Sequence, residues 1–161
     1  MAESVAFSRG AGRATIYREL VPQIESLIAD ESDLIANLAN IAAVLKEAFG
    51  FFWVGFYLRK GSQLVLGPFQ GPLACARIDR NKGVCGHAFS SRETVIVPDV
   101  DAFPGHIACS SASRSEIVVP LFGNGGETIG VLDVDSDKLD DFSNVDADGL
   151  GQIAQILRSK I

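Results

Sequence analysis

Residues 51–58, Phe-Phe-Trp-Val-Gly-Phe-Tyr-Leu, constrain the fold more than any other stretch of this chain. The segment is dense in aromatic and β-branched side chains and too short for a typical helix, so it reads as a strand. Lys60-Gly61-Ser62 makes a turn, and residues 63–70 answer as the second arm of a hairpin. A second hairpin is predicted downstream. There, residues 116–122 and 128–134 flank Gly-Asn-Gly-Gly-Glu, whose glycines and asparagine supply the positive φ of a tight turn.

Helical spacing brackets these hairpins. From Thr15, the apolar positions Tyr17, Leu20, Val21, Ile24, Leu27 and Ile28 follow a 3.6 period, with Pro22 predicting a kink or a restart. Asp30-Glu31-Ser32-Asp33 places capping residues ahead of a second run, where Ile35, Leu38, Ile41, Leu45 and Phe49 form one stripe before Gly50. Near the C-terminus, Ser143 caps a third helix with Asp146 three residues on. Leu150, Ile153, Ile156 and Leu157 form its apolar face, and Arg158 and Lys160 suit its negative end.

Between the hairpins, residues 83–92 read as a short helix with Cys85 near its start. Residues 95–97 make a brief strand ended by Pro98. Residues 99–115 form a long polar loop carrying Cys109, a kind of segment that is usually functional or mobile. The order predicts an α+β domain: an antiparallel sheet flanked by N- and C-terminal helices, spanning residues 14–161 behind a loose leader at 1–13.

Composition narrows the partners. At 161 residues, 47% hydrophobic and 21% charged, the chain has the make-up of one globular domain. Fourteen basic residues against 20 acidic ones, with the basic ones scattered, argue against nucleic acid. No apolar run reaches the roughly 18–20 residues of a membrane span, and the first residues lack a secretory pattern, so a cytoplasmic location is expected. The three cysteines, Cys75, Cys85 and Cys109, include no CxxC and no zinc-knuckle spacing. Each has the default reading of a small buried hydrophobe, and no metal or cofactor is predicted.

Strand alternation places Trp53, Gly55 and Tyr57 on one face and Phe52, Val54, Phe56 and Leu58 on the other, as a core set. The first trio either leaves a notch between two aromatic walls or is plain core, with Gly55 admitting a close helix. Asp133 and Asp135 share a face of the last strand, and the hairpin brings Glu116 to the same end. Such acids are solvated, hold a hard cation, or converge. If they converge on the Trp53–Tyr57 face, the result is an aromatic cavity of concentrated negative charge, suited to an ammonium-bearing apolar ligand. The 99–115 loop can deliver Cys109 there as a thiolate nucleophile regenerated by a second thiol. Acidic neighbours raise a thiol pKa, an objection that weakens if the substrate is itself cationic or if a protonated carboxyl donates to it. His106 and His87 lie near cysteines in sequence, yet neither spacing compels a dyad or a metal site, and structural or surface roles are favoured.

The segments FFWVGFYL, LVLGPFQGPLAC, GVCGHA, FPGHIACSSASRSEIVVPL and IGVLDVDS, in this order, closely resemble the free methionine-(R)-sulfoxide reductases, which are GAF domains. The similarity runs from about the second helix to the last one. The three cysteines sit at the family's spacing, and one extra residue in the GNGGE turn is the visible departure.

The resemblance implies that Cys109 attacks the sulfoxide sulfur, that methionine departs leaving a sulfenic acid, and that Cys75 condenses with it to a disulfide reduced by thioredoxin. It gives Cys85 a secondary role as an alternative resolving thiol. It assigns Glu116, Asp133 and Asp135 to the substrate ammonium and sulfoxide oxygen, and Trp53 and Tyr57 to the walls. A methionine inside a protein lacks the α-ammonium, so an enclosed acidic pocket favours the free amino acid. The substrate carboxylate would meet backbone N–H groups at residues 83–86. A non-enzymatic small-molecule-binding GAF sensor and a thiol redox sensor are the rival readings. An exposed face of the first helices could make a homodimer.

Overall fold

The computed structural model describes residues 4–161. Among them lie four α-helices and six strands, which apart from β3 follow the predicted order: α1 (Arg13–Ile28), α2 (Leu34–Phe49), β1 (Trp53–Lys60), β2 (Gln63–Gln70), β3 (Arg77–Asp79), α3 (Gly83–Ser91), β4 (Val95–Val97), β5 (Ser115–Phe122), β6 (Thr128–Ser136) and α4 (Asn144–Arg158). The strands form one sheet in the order β3-β2-β1-β6-β5-β4, with every neighbouring pair antiparallel. α1, α2 and α4 cover one face, where Val54, Phe56, Ile117, Val119, Leu132 and Val134 meet Leu20, Ile24, Leu38, Leu45, Leu150 and Ile153. The other face carries a smaller core in which Trp53, Tyr57, Val118 and Val131 pack with Val84, Cys85 and Ala88 of α3.

Local chemistry explains most of these elements. Asp33 caps α2 by accepting from the Ala36 N–H, and Gly50 ends it in the left-handed conformation at φ 65°. Ser143 and Asp146 complete a capping box at the start of α4. α4 is clamped to α1, because Asp146 accepts from the buried Tyr17 hydroxyl at 2.9 Å and from Arg13 at 3.1 Å.

Several expectations are corrected. α1 does not restart at Pro22 but continues through it as one helix; the Gln23 side-chain amide donates to the Glu19 carbonyl at 2.8 Å beside the proline. Ile35 does not join the α2 stripe: it lies in the first turn, at the margin of the face set by Leu38, Ala42 and Leu45, and is 52% exposed. Asn37 is buried instead, donating to the Glu31 carbonyl. The stretch between β2 and α3, to which the sequence assigns no element, contains β3, three residues too short to show a pattern, paired to β2. β6 extends past Val134 to Ser136, so Asp135 is within the strand. Residues 4–12 carry no helix or strand, yet Ser8 donates to Glu19 from both its backbone and its hydroxyl; positions 1–3 of the predicted leader lie outside the described residues.

Candidate functional site

Register assembles the site. β1 pairs with β6 so that Trp53 lies opposite Asp135 and Gly55 opposite Asp133. β5 pairs with β6 so that Glu116 lies opposite Asp135 and Val118 opposite Asp133. Directly paired residues project to the same face of a sheet. Trp53, Tyr57, Glu116, Asp133 and Asp135 therefore share the face covered by α3 and the loops. Together they line a cavity of about 550 Å³ of free space, counting its open mouth.

The aromatic wall differs from the predicted notch. A Cβ at Gly55 would stand 2.4 Å from the Phe69 Cβ and 2.6 Å from the Trp53 indole, so the missing side chain admits Phe69 across the sheet and lets the indole lean over. Trp53 is stacked between neighbours, with ring centroids 5.3 Å from Phe69 and 6.0 Å from Tyr57. Its indole N–H donates to the Pro72 carbonyl at 3.1 Å. The Tyr57 hydroxyl donates to the Cys75 carbonyl at 2.8 Å, which ties the cysteine-bearing connection to the sheet. Phe52, assigned to the opposite core set, lines the cavity because β1 begins only at Trp53 and alternation does not reach back to it.

The floor is acidic and buried. Glu116 and Asp133 are buried, and Asp133 Oδ1 has no hydrogen-bond partner among the described residues. Burial is the main cause that pushes both carboxyls well above the usual range, with the charge of Asp135 adding to it. Asp135, at the half-buried rim, accepts from the Ser113 hydroxyl at 2.6 Å. Its pKa is raised by burial to about 6, against the lowering pull of that hydrogen bond and of His106. A cluster of this kind keeps protons at neutral pH and can donate them. Burial, and then Asp133 and Glu116, also push the Cys85 thiol up, and its Sγ lies 4.0 Å from Glu116 Oε1.

The other two cysteines meet at the mouth. Cys75 and Cys109 form a disulfide with their Cα atoms 5.3 Å apart, and Cys109 lines the cavity. The cavity is also bounded by the start of α3, where Gly83 and Val84 line it and no side chain caps the helix. N–H groups there are free to meet an anion.

His106 turns into the cavity. Its Nε2 lies 3.7 Å from Glu116 Oε2 and its side chain is largely enclosed, whereas His87 is exposed and packs edge-on against Phe103. The position of His106, three residues before Cys109, was the available signal. Ser113 turns inward as well, and nothing in a polar loop marks which hydroxyl does so.

The family model of the GAF domain matches residues 28–159. GAF domain-containing protein A of Dictyostelium discoideum is 56% identical, covering 98% of this chain and 99% of that protein. The free methionine-R-sulfoxide reductase of Saccharomyces cerevisiae is 39% identical, covering 97% of this chain and 91% of its own. Among solved structures, the free methionine-R-sulfoxide reductase of Neisseria meningitidis in complex with its substrate superposes with a TM-score of 0.94. It is 60% identical, covering 98% of this chain and 94% of that one.

Proposed function

This chain belongs to the GAF-domain family, and from that premise we propose that it is an oxidoreductase that reduces free methionine-(R)-sulfoxide to methionine. The observation that carries the reading is the Cys75–Cys109 disulfide opening into a cavity with an aromatic wall and an acidic floor. A sensor module needs the cavity but has no use for a redox pair at its mouth. A bare thiol sensor needs the pair but has no use for an acidic floor with two buried carboxyls.

In the reduced protein, the Cys109 thiolate attacks the sulfoxide sulfur. The S–O bond breaks, the oxygen ends on Cys109 as a sulfenic acid, and methionine leaves carrying the electron pair. The Cys75 thiol then displaces that oxygen as water and forms the disulfide. An external dithiol of the thioredoxin class closes the cycle by reducing it. Cys85 is not needed for either step and serves at most as a substitute resolving thiol.

The floor supplies what the chemistry lacks. A sulfoxide oxygen is a poor leaving group until it is protonated, and a carboxyl held neutral by burial is a proton donor at the right depth. Asp133, buried with one oxygen unpartnered, offers an acceptor for the substrate ammonium. Trp53 and Tyr57 flank the methyl-sulfoxide end, and the uncapped start of α3 receives the α-carboxylate. These contacts require both termini of the amino acid to be free.

The test is a reductase assay with separated R and S diastereomers, each as the free amino acid and within a peptide. Turnover of the free R form alone is expected. Equal rates on the peptide would overturn the assignment of the acidic floor to the ammonium.

A further inference from the structure

We infer that the segment at residues 72–76 is the docking surface for a protein dithiol, with Leu73 as its apolar anchor and Cys75 Sγ as the sulfur attacked. The inference rests on the proposed reductase cycle, which needs an external dithiol to open the disulfide after each turnover.

Three observations meet on this segment. Leu73 is 90% exposed, against 52% or less for the other exposed large hydrophobic side chains. A lone apolar side chain on a surface is ordinary, but this one stands two residues before a cysteine of the disulfide. The segment is also pinned from one side only. The Pro72 carbonyl accepts from the Trp53 indole, the Cys75 carbonyl from the Tyr57 hydroxyl, and the Ala76 carbonyl from the Leu66 N–H. The N–H groups of Leu73, Ala74 and Cys75 have no hydrogen-bond partner among the described residues, nor do the carbonyls of Leu73 and Ala74. Finally, Cys109 lines the cavity, whereas Cys75 is not among its lining residues.

These features select the occupant. A small dithiol needs only the sulfurs. A protein dithiol must cover the residues flanking the sulfur it attacks, and here it meets an apolar anchor and unpaired backbone groups held in place. Added chains use the same pairing on an exposed sheet edge. Approach from outside the cavity reaches Cys75 rather than Cys109.

The partner's thiolate attacks Cys75 Sγ, so that a mixed disulfide forms and Cys109 is expelled as a thiolate. The partner's second thiol gives up its proton and displaces Cys75, which takes a proton up. The partner ends as a disulfide, oxidised by two electrons, and both cysteines of this chain end reduced. Cys109 thus leaves in the form that attacks the next sulfoxide.

The oxidised protein would be reduced with a thioredoxin and, separately, with dithiothreitol, and the new Cys75 and Cys109 thiols counted by acid quench and alkylation. Leu73→Ser should lower the second-order rate constant with thioredoxin at least about fivefold and leave that with dithiothreitol within about twofold. A thioredoxin variant lacking its second cysteine should be trapped on Cys75 of the wild-type protein, as located by peptide mapping. A thioredoxin rate unchanged in Leu73→Ser, or equal slowing with both reductants, would overturn the docking surface. So would an adduct on Cys109. Should Leu73→Ser fail to fold, the wild-type adduct decides alone. No sulfoxide enters the experiment, so its failure and the failure of the reductase reading are separate results.

Discussion

Asp135→Asn turns the electrostatics of the cavity into a measurable stability difference. Burial raises this carboxyl from its ordinary 3.8 to about 6. The folded state thus holds a proton that the unfolded chain releases first, so the Asp135 contribution to wild-type stability falls as pH rises from about 4 to about 6 and is level above that. At about 1.4 kcal/mol per pH unit of displacement, the full penalty is about 3 kcal/mol. Asparagine has no charge to bury, and its side-chain carbonyl can still accept the Ser113 hydroxyl that bonds Asp135 at 2.6 Å. The variant should therefore exceed the wild type by only about 0.5 kcal/mol at pH 4 but by about 3 kcal/mol at pH 7.5. For a domain of this length that is about 6–12 °C in Tm. Urea denaturation of both oxidised proteins at the two pH values measures it. A difference that is the same at both, or a variant less stable at pH 7.5, would refute the claim that Asp135 is held in an environment hostile to its charge. Because the same carboxyl is proposed to face the substrate, the stabilised variant should also lose reductase activity, a trade of stability against function common at such sites.

Other perturbations follow from the same geometry. Cys109→Ser should abolish sulfoxide reduction, whereas Cys75→Ser should yield about one methionine per chain in a single-turnover assay and then stall with a thioredoxin-class dithiol, because attack precedes resolution. Gly55→Ala would drive a methyl into the Phe69 Cβ at 2.4 Å and the indole at 2.6 Å. Overpacking of this kind costs about 1–3 kcal/mol by denaturation, and displacing Trp53 should raise KM more than it lowers kcat. Ser143→Ala removes the hydroxyl half of the α4 capping box and should cost about 1 kcal/mol while leaving reductase kinetics unchanged.

Much of the architecture was legible in the chain because it rests on short-range rules. Alternation in residues 53–58 placed Trp53 and Tyr57 opposite Val54 and Phe56, and period 3.6 with Ser143 and Asp146 marked α4. These signals are strong wherever one face is buried and the other is not, since a slip of one residue would expose a whole hydrophobic set. Where the signal is short or the element ends, the rule fails. β3 is three residues, Phe52 sits one residue before its strand, and Ile35 lies in the first turn of its helix.

The sequence by itself determined that Asp133 and Asp135 share a face and that a hairpin carries Glu116 to their end. Only the tertiary structure decided how deeply those acids are buried, that Phe69 rather than open space fills the gap at Gly55, that Cys75 meets Cys109 while Cys85 faces Glu116, and that His106 turns inward. Order along a strand is a property of neighbours in the chain. Desolvation, and with it every raised pKa in the cavity, depends on which distant segments exclude water.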